Sequence, residues 1–534
     1  MGQHLRILPV GDQALLVELA DLTAVMALQA FLASNTPAGT VDVVPAARTV
    51  LVTASSPRAL AGIERAIRGA DLSASRQAHG TLVTLETVYD GAELATVAQL
   101  AGMGVQGLVE WHSGQEWTAA FAGFAPGFMY LTPEVAGVSV PRRASPRTAV
   151  PAGSVALGGE FSAVYPGPSP GGWALIGRTN QSLWDLSRPV PALIQPGDRV
   201  RFAPVREMVT VTASAASPTI AVHAPGDHGL RVLAPGMQTT VQDLGRAGFA
   251  GLGVTGSGAL DRAALRRANR MVGNAGSAVT QGASGAAGLE TVVGGMSLQA
   301  VGSHVVAVTG GAVTLSVSRV SGQLRGVPTD VPFLLCDGES LMVHAAPGVP
   351  GFRSYLAVRG GLDVPAVLGS RATDLLSGTG PAQIAAGDFL PVAPAPPGSV
   401  VGFPEPGPPV PDAVTVLHFV PGPRADWFTT TSQAAFTEQR WSVGAQSNRI
   451  GLRLEGTPLQ RELPGEASAA DSELPSEGMG DGAIQVPPSG LPVLFLADHP
   501  VTGGYPVIGV VVRADLDKAA QLAPGQAVTF RALP

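Results

Sequence analysis

The chain has 534 residues, too many for one hydrophobic core, so three or four domains are expected. It is 45% hydrophobic and 14% charged, with 68 Gly and 46 Pro, a composition that excludes long helices and suits short strands joined by tight turns. The net charge of −7 leaves no electrostatic footprint for nucleic acid, and no apolar run reaches bilayer length.

The N-terminus, Met1-Gly2-Gln3-His4, lacks a charged-then-apolar secretion signal. The single cysteine, Cys336, lies in an apolar run and reads as a small buried hydrophobe. A cytoplasmic protein without disulfides is expected. Lys518 is the only lysine, which excludes a Walker-type phosphate loop, a protein-kinase lysine and a biotin-bearing lysine on this chain. Any phosphate must then be held by arginines and backbone N–H groups.

Leu5 to Leu19 reads as strand and turn around Gly11-Asp12, and Arg58 to Arg68 has helical spacing with Leu60, Ile63 and Ile67 on one face. Thr81 to Tyr89 reads as a strand and Leu94 to Leu100 as a helix. A repeat then emerges: a glycine turn, a strand, a short helical piece and a closing strand. One copy runs through Gly171-Gly172, Ala174 to Gly177, Leu183 to Leu186 and Pro196 to Phe202. Another runs through Gly503-Gly504, Val507 to Val512, Leu516 to Leu522 and Pro524 to Phe530, and a looser one lies between Tyr355 and Leu390. Barrels are the simplest way to close so many short strands. The predicted layout is an α+β domain at 1–90, a barrel at 91–212, a linker at 213–229, a barrel at 230–392, a Pro-rich spacer at 393–411 and a last barrel at 412–534.

Four segments concentrate chemistry. Gly123 to Leu131 packs two Gly, a Pro and three aromatics into nine residues, which suits either a rigid core turn or a ligand loop. Arg142, Arg143 and Arg147 run into Gly153-Ser154, an arrangement fit for an anion, with Arg178 near the Gly171-Gly172 turn. In the second half, Asp243 and Arg246 read as a simple salt bridge or as site groups, ahead of a helix over Asp261 to Val272 capped by Asp261 and stopped by Gly273. Glu290 sits in an apolar stretch, where a carboxylate needs a partner. Asp498-His499 runs on to Thr502-Gly503-Gly504-Tyr505, gathering acid, imidazole, hydroxyl and phenol in one turn. The other histidines lack metal-ligand spacing, and a metal site is not specified.

Together these pieces resemble a known family. Pro9 to Glu18, Gly123 to Leu131, Val150 to Val155 and Ser169 to Thr179 are similar to allophanate hydrolase subunit 1, better described as the B-type subunit of 5-oxoprolinase. Thr240 to Arg246, Gly258 to Asn274, Leu289 to Thr291, Ala357 to Thr373, Ile484 to Pro487 and Asp498 to Pro506 are similar to allophanate hydrolase subunit 2, or the C-type subunit of 5-oxoprolinase. The resemblance implies a mainly β chain, with an α+β N-terminal part and several cyclophilin-like β-barrel domains in tandem.

It also implies ATP-dependent opening of 5-oxo-L-proline to L-glutamate with a separate protein like the A-type subunit of 5-oxoprolinase, using ATP and Mg2+ and no covalent biotin here. Under that reading Arg142, Arg147 and Arg178 hold phosphates or the substrate carboxylate. Ser154 and the Gly171 and Gly172 amides hold an oxyanion, and Glu290 with Asp498 hold Mg2+ or orient the amide. Gly153, Asp243, Arg246, Arg371 and Thr502 to Tyr505 complete the binding set. Two departures from the commoner pattern stand at Phe161-Ser162-Ala163 and Val507. Relatives also suggest two alternatives: a biotin-dependent carboxyltransferase on urea or a related amide, and a non-catalytic regulator of a histidine kinase. A homo-oligomer is left open.

Overall fold

The computed structural model describes residues 5–72, 80–141, 143, 147–207, 227–274, 285–311, 313–346, 348–349, 351–408, 413–462 and 474–533. Arg142 and most of the expected 213–229 linker therefore lie outside the described residues. Strands hold 37% of the residues and helices 15%, so the mainly β expectation holds.

The first unit is a four-stranded sheet in the order Arg6–Val10, Ala14–Glu18, Thr49–Ala54, Thr40–Pro45. Gly11, at φ 64, makes the first hairpin turn. Two helices cover one face. Leu22–Ser34 starts where the Asp21 carboxylate accepts from Ala24 N at 2.9 Å, and Pro57–Arg68 begins with a proline whose missing N–H needs no partner there. Leu28, Leu32, Ile63 and Ile67 pack on Val17, Val50 and Val52. Arg58 to Arg68 had the helical signal. The Leu22–Ser34 helix had none, because LTAVMALQAFLA is apolar or small nearly all round and offers no polar face to set a period.

The second unit is a seven-stranded sheet ordered Ala174–Arg178, Ser154–Gly158, Phe161–Val164, Met129–Pro133, Trp117–Ala122, Arg199–Pro204, Leu82–Thr87. Its two edges meet where Val88 and Arg178 exchange both backbone hydrogen bonds at 2.9 Å, which closes the sheet on itself. The last unit is a closed barrel of Val414–Pro421, Val507–Val511, Ala483–Gln485, Val493–Phe495, Gly451–Glu455, Trp441–Val443 and Ala527–Ala532. Between them, residues 229–391 form a six-stranded and a five-stranded sheet that share one core.

The repeat has a structural signature in the two outer barrels. In each, the closing strand runs parallel to the first: Arg199–Pro204 beside Leu82–Thr87, and Ala527–Ala532 beside Val414–Pro421. In each, a helix leads to a buried tryptophan whose indole N–H donates to the carbonyl five residues back, Trp117 to His112 at 2.9 Å and Trp441 to Phe436 at 3.0 Å. The looser middle copy differs, because Phe389–Pro391 closes antiparallel to Gly229–Pro235. Cys336 also departs from expectation. It is exposed, in the turn after Phe333–Leu335, where its N–H donates to Glu339 and not to a core strand.

The two halves of the chain are docked, not merely linked. Asp12 accepts from Arg513 N at 3.1 Å, which starts the last helix at Arg513 and not at Leu516, as the local spacing suggested. Arg424 pairs with Glu18 across the junction and with Glu477 on its own side. Asp42 accepts from Gly248 N at 3.1 Å and Ala250 N at 3.0 Å, and burial pushes its pKa from 3.8 up to about 6. Between those values the folded chain holds a proton that the unfolded chain has released, so stability falls as pH rises through this window. The difference is worth about 3 kcal/mol. Chemical denaturation at pH 4 and pH 7 should therefore show a loss about 3 kcal/mol smaller in Asp42→Asn than in the native chain, where Asp261, also raised to about 6 by burial, adds its own share.

Candidate functional site

The Gly123-to-Leu131 motif forms a tight hairpin whose bend is strained. Phe124 sits at φ 65, a conformation that non-glycine residues rarely adopt, and Gly127 at φ 77. An aromatic cluster over-determines it: Phe124 and Phe128 pack edge-on at 5.3 Å, Phe128 meets Tyr165 at 5.2 Å and Trp173 at 5.5 Å, and Phe121 stacks on Tyr130 at 4.3 Å. Phe161 joins this cluster beside Phe121 and Tyr130. Its neighbour Ser162 bonds the buried His112 at 2.9 Å, with Tyr89 on the other ring nitrogen at 2.7 Å. Burial pulls the His112 pKa down to about 3. The Phe161-Ser162-Ala163 departure is thus taken up by packing.

The bend is one of the places where the halves meet. Gly127 N donates to Leu252 O at 3.2 Å. A Cβ on Gly253, already at φ 82, would lie 2.5 Å from Ala125 O, and one on Gly123 would lie 2.4 Å from Thr502 Oγ1. At Gly253 only glycine permits such approach; at Gly123 the obstacle is the Thr502 side chain.

Arg143, Arg147 and Arg178 each pair with a carboxylate. Glu93 receives Arg143 at 2.8 Å and Arg147, and accepts from Leu175 N at 2.9 Å. Arg147 pairs in register with Gly171, and its Nη1 is buried with no partner among the described residues. Arg178 pairs with Asp90 at 2.8 Å, both well exposed, a bond that an arriving anion can displace at little cost. Ser154 is buried and donates its hydroxyl to Pro151 O at 2.8 Å. Gly153, at φ 77, has its N–H on Tyr165 O. Gly171 lies against the Tyr165 hydroxyl, and Gly172 O accepts from Arg143 N at 2.8 Å.

In the second half, Glu290 has its partner in Arg449. This arginine, 0% exposed, donates to Glu290 at 2.6 Å, to Asp498 at 2.9 and 3.0 Å, and to Gly258 O at 2.7 Å. Glu290 also accepts from Leu260 N at 3.0 Å and Tyr355 Oη at 2.9 Å. Asp498 accepts from Ser257 Oγ at 2.7 Å and Leu375 N at 3.1 Å. Ser257 is held at φ 51, a second strained residue, here between the middle unit and the last barrel. The two flanking carboxylates hold Arg449 firmly cationic, despite full burial. Sequence reasoning missed Arg449: it lies 159 residues from Glu290, and nothing in Asn448-Arg449-Ile450 marks it.

Asp243 and Arg246 do not form the salt bridge that their spacing suggests. Asp243 instead accepts from Gly245 N at 2.8 Å, Ser370 Oγ at 2.7 Å and Arg371 N at 2.6 Å. The Arg371 side chain turns away to Val364 O at 2.7 Å. Thr502 is buried against Gly123, Gly503 pairs with Glu477, and Gly504 O accepts from Leu474 N at 3.1 Å. Tyr505 lies under Arg461 at 5.6 Å, and Val507 is in the barrel wall. His499 has Pro500 O at 2.8 Å on Nδ1 and Asp481 at 3.2 Å on Nε2. Burial lowers the His499 pKa, but Asp481 and Pro500 O outweigh it and raise the pKa above the usual imidazole value.

Mg2+ does not fit between Glu290 and Asp498. All four carboxylate oxygens carry N–H or O–H donors, and the Arg449 cation occupies the space between them. Among the described residues there is no cluster of three His, Cys, Asp or Glu suited to a metal, and no helix is long and apolar enough to cross a membrane.

Comparison with known proteins agrees with this bipartite layout. Residues 5–194 match the family described as carboxyltransferase domain, subdomain C and D, and residues 252–532 match carboxyltransferase domain, subdomain A and B. The chain is 42% identical over 174 residues to the B-type subunit of 5-oxoprolinase from Escherichia coli O157:H7, covering 32% of this chain and 80% of that protein. It is 35% identical over 312 residues to the C-type subunit of 5-oxoprolinase from Escherichia coli K12, covering 56% of this chain and 90% of that protein. The crystal structure of TTHA0988 superposes with a TM-score of 0.81 at 31% identity, over 97% of this chain and 100% of that one. The chain therefore belongs to the carboxyltransferase-domain family, as a fusion in one polypeptide of the counterparts of the B-type and C-type subunits of 5-oxoprolinase.

Proposed function

We propose that this chain, with a separate protein like the A-type subunit of 5-oxoprolinase, opens 5-oxo-L-proline to L-glutamate at the expense of ATP. A lactam is a poor electrophile, and phosphorylating its oxygen makes it a good one. The γ-phosphoryl group passes to that oxygen, the ring nitrogen loses its proton and ADP leaves. Water then adds at the activated carbon, the ring C–N bond breaks to give an acyl phosphate, and a second water attacks the acyl carbon, breaking its bond to the bridging oxygen, which leaves with the phosphate and frees L-glutamate. Such a transfer rests on positioning and on neutralising charge. Arg147, with its unpartnered Nη1 beside the Gly171-Gly172 turn, and the displaceable Arg178 suit phosphate oxygens. The Glu290–Arg449–Asp498 network fixes the loops of the second half.

The observation that carries this reading is the seating of the Gly123-to-Gly127 bend on Leu252, Gly253 and Thr502, which makes one locus out of the two halves. The test is ADP release by the purified chain plus the A-type protein. Release should require 5-oxo-L-proline, and ATP turnover indifferent to it would overturn the reading. Arg147→Ala should lower turnover at least tenfold with an unchanged melting temperature.

A further inference from the structure

A cavity of about 820 Å³ lies at the junction of the first four-stranded unit and the last barrel, and none of the residues given a role in the reaction above lines it. Its volume is within the roughly 300–1,000 Å³ of small-molecule sites. The apolar lining comes from both halves of the chain: Leu5, Leu19 and Leu72 from the first, Trp427, Leu474 and Pro475 from the second. Trp427 is half-buried, and its ring offers a face to an apolar body. Such a lining in contact with water favours an occupant that covers it.

The polar lining says what else the occupant carries. Arg6, Arg48 and Arg424 line the cavity with Glu18, Asp21 and Glu477, and the partners of each show which charge is unspent. Glu18 takes Arg6 at 3.3 Å on one oxygen and Arg424 on the other. Arg424 spends its Nε and Nη2 on Glu477, whose two oxygens both receive it. Asp21 is turned to the helix that it caps, accepting from Ala24 N at 2.9 Å, where the helix N-terminus offsets its charge.

Arg48 is the exception. Its Nη2 donates to Ala20 O at 2.8 Å, and it has no carboxylate partner among the described residues. The side chain is exposed, and a guanidinium in that state has further N–H donors for a carboxylate. Three arginines set against three carboxylates leave no surplus of positive charge for a polyanion, which disfavours a nucleotide. One unspent cation beside an apolar lining suits a single negative charge on an apolar body.

We infer that this cavity binds a small monocarboxylate with an apolar body, its carboxylate on Arg48 and its body against Trp427 and the leucines. The inference goes beyond the 5-oxoproline reading and stands or falls without it.

The probe is octanoate, compared with octanamide and octylammonium, which keep the apolar chain and carry no charge or the opposite one. Calorimetry on the full chain should show one octanoate bound per chain, at least tenfold tighter than octanamide, with octylammonium weaker still. Arg48→Gln has one carbonyl bond to lose at an exposed position, so it should keep the melting temperature and level octanoate with octanamide. Thr23→Trp, at an exposed helix position that lines the cavity, should block octanoate without altering Arg48.

Octanoate bound no tighter than octanamide or octylammonium by the native chain would overturn the site, as would no octanoate binding at millimolar concentration. Octanoate binding unchanged in both variants would overturn it too, since the probe would then be covering apolar surface elsewhere.

Discussion

Arg449→Met should destabilise the chain by about 3–5 kcal/mol, the range for removing one partner of a buried ion pair. The side chain bridges Glu290, from the middle unit, to Asp498, in the last barrel, and its third arm holds Gly258 O. Without it, two carboxylates stay in a site from which water is excluded, 2% and 0% exposed, with no counter-charge from that arginine. Arg353, also buried, keeps a longer ion pair with Glu290 at 3.6 Å without a hydrogen bond from its Nε, and so offsets only part of the loss. The diagnostic variant is the double change Arg449→Met, Asp498→Asn, which removes that pair's charges together, leaves Glu290 with Arg353, and should recover part of the loss. Chemical denaturation of both variants measures it. A drop of under 1 kcal/mol in the single variant would mean that the network is not what joins these units.

Gly123→Ala should be nearly as damaging to turnover, at least a hundredfold, because its Cβ would fall 2.4 Å from Thr502 Oγ1 and 3.1 Å from Thr502 Cγ2. The nearest obstacle is a side chain from the other half and not backbone, so it can be removed, leaving only Tyr130 Cε2 at 3.2 Å to give by a few tenths of an ångström. Gly123→Ala with Thr502→Ala should regain most of the activity, giving a coupling of about 1–3 kcal/mol in a double-mutant cycle. Additive effects would show that the bend and the Thr502 turn work independently.

The features that sequence made visible were those written locally. The Gly11-Asp12 turn, the Asp261 cap with its Gly273 stop and the closing strands at Pro196 and Pro524 each rest on glycine, proline or capping chemistry within a few residues. Glu290 and Asp498 stood out as chemistry out of place, and both proved central to the second half. Their partner Arg449 was invisible, because a guanidinium in an ordinary loop carries no local sign of the carboxylates it will meet. The same holds for the Arg513 helix start, set by Asp12 from a sequence separation of 501. The Leu22–Ser34 helix was missed for the opposite reason, having too little contrast between its faces. The Asp243–Arg246 pairing was suggested by spacing alone, and the backbone N–H groups around Asp243 outcompeted the arginine.

The reaction proposed for this chain turns on one bond, between the γ-phosphorus and the lactam oxygen. Supplying 5-oxo-L-proline carrying oxygen-18 at that position, with ATP and the A-type protein, tests it directly by mass spectrometry of the phosphate released. Phosphorylation of the lactam followed by attack of water at the acyl carbon sends one labelled oxygen into each phosphate. Unlabelled phosphate, with the isotope kept in the glutamate side-chain carboxylate, would contradict the account.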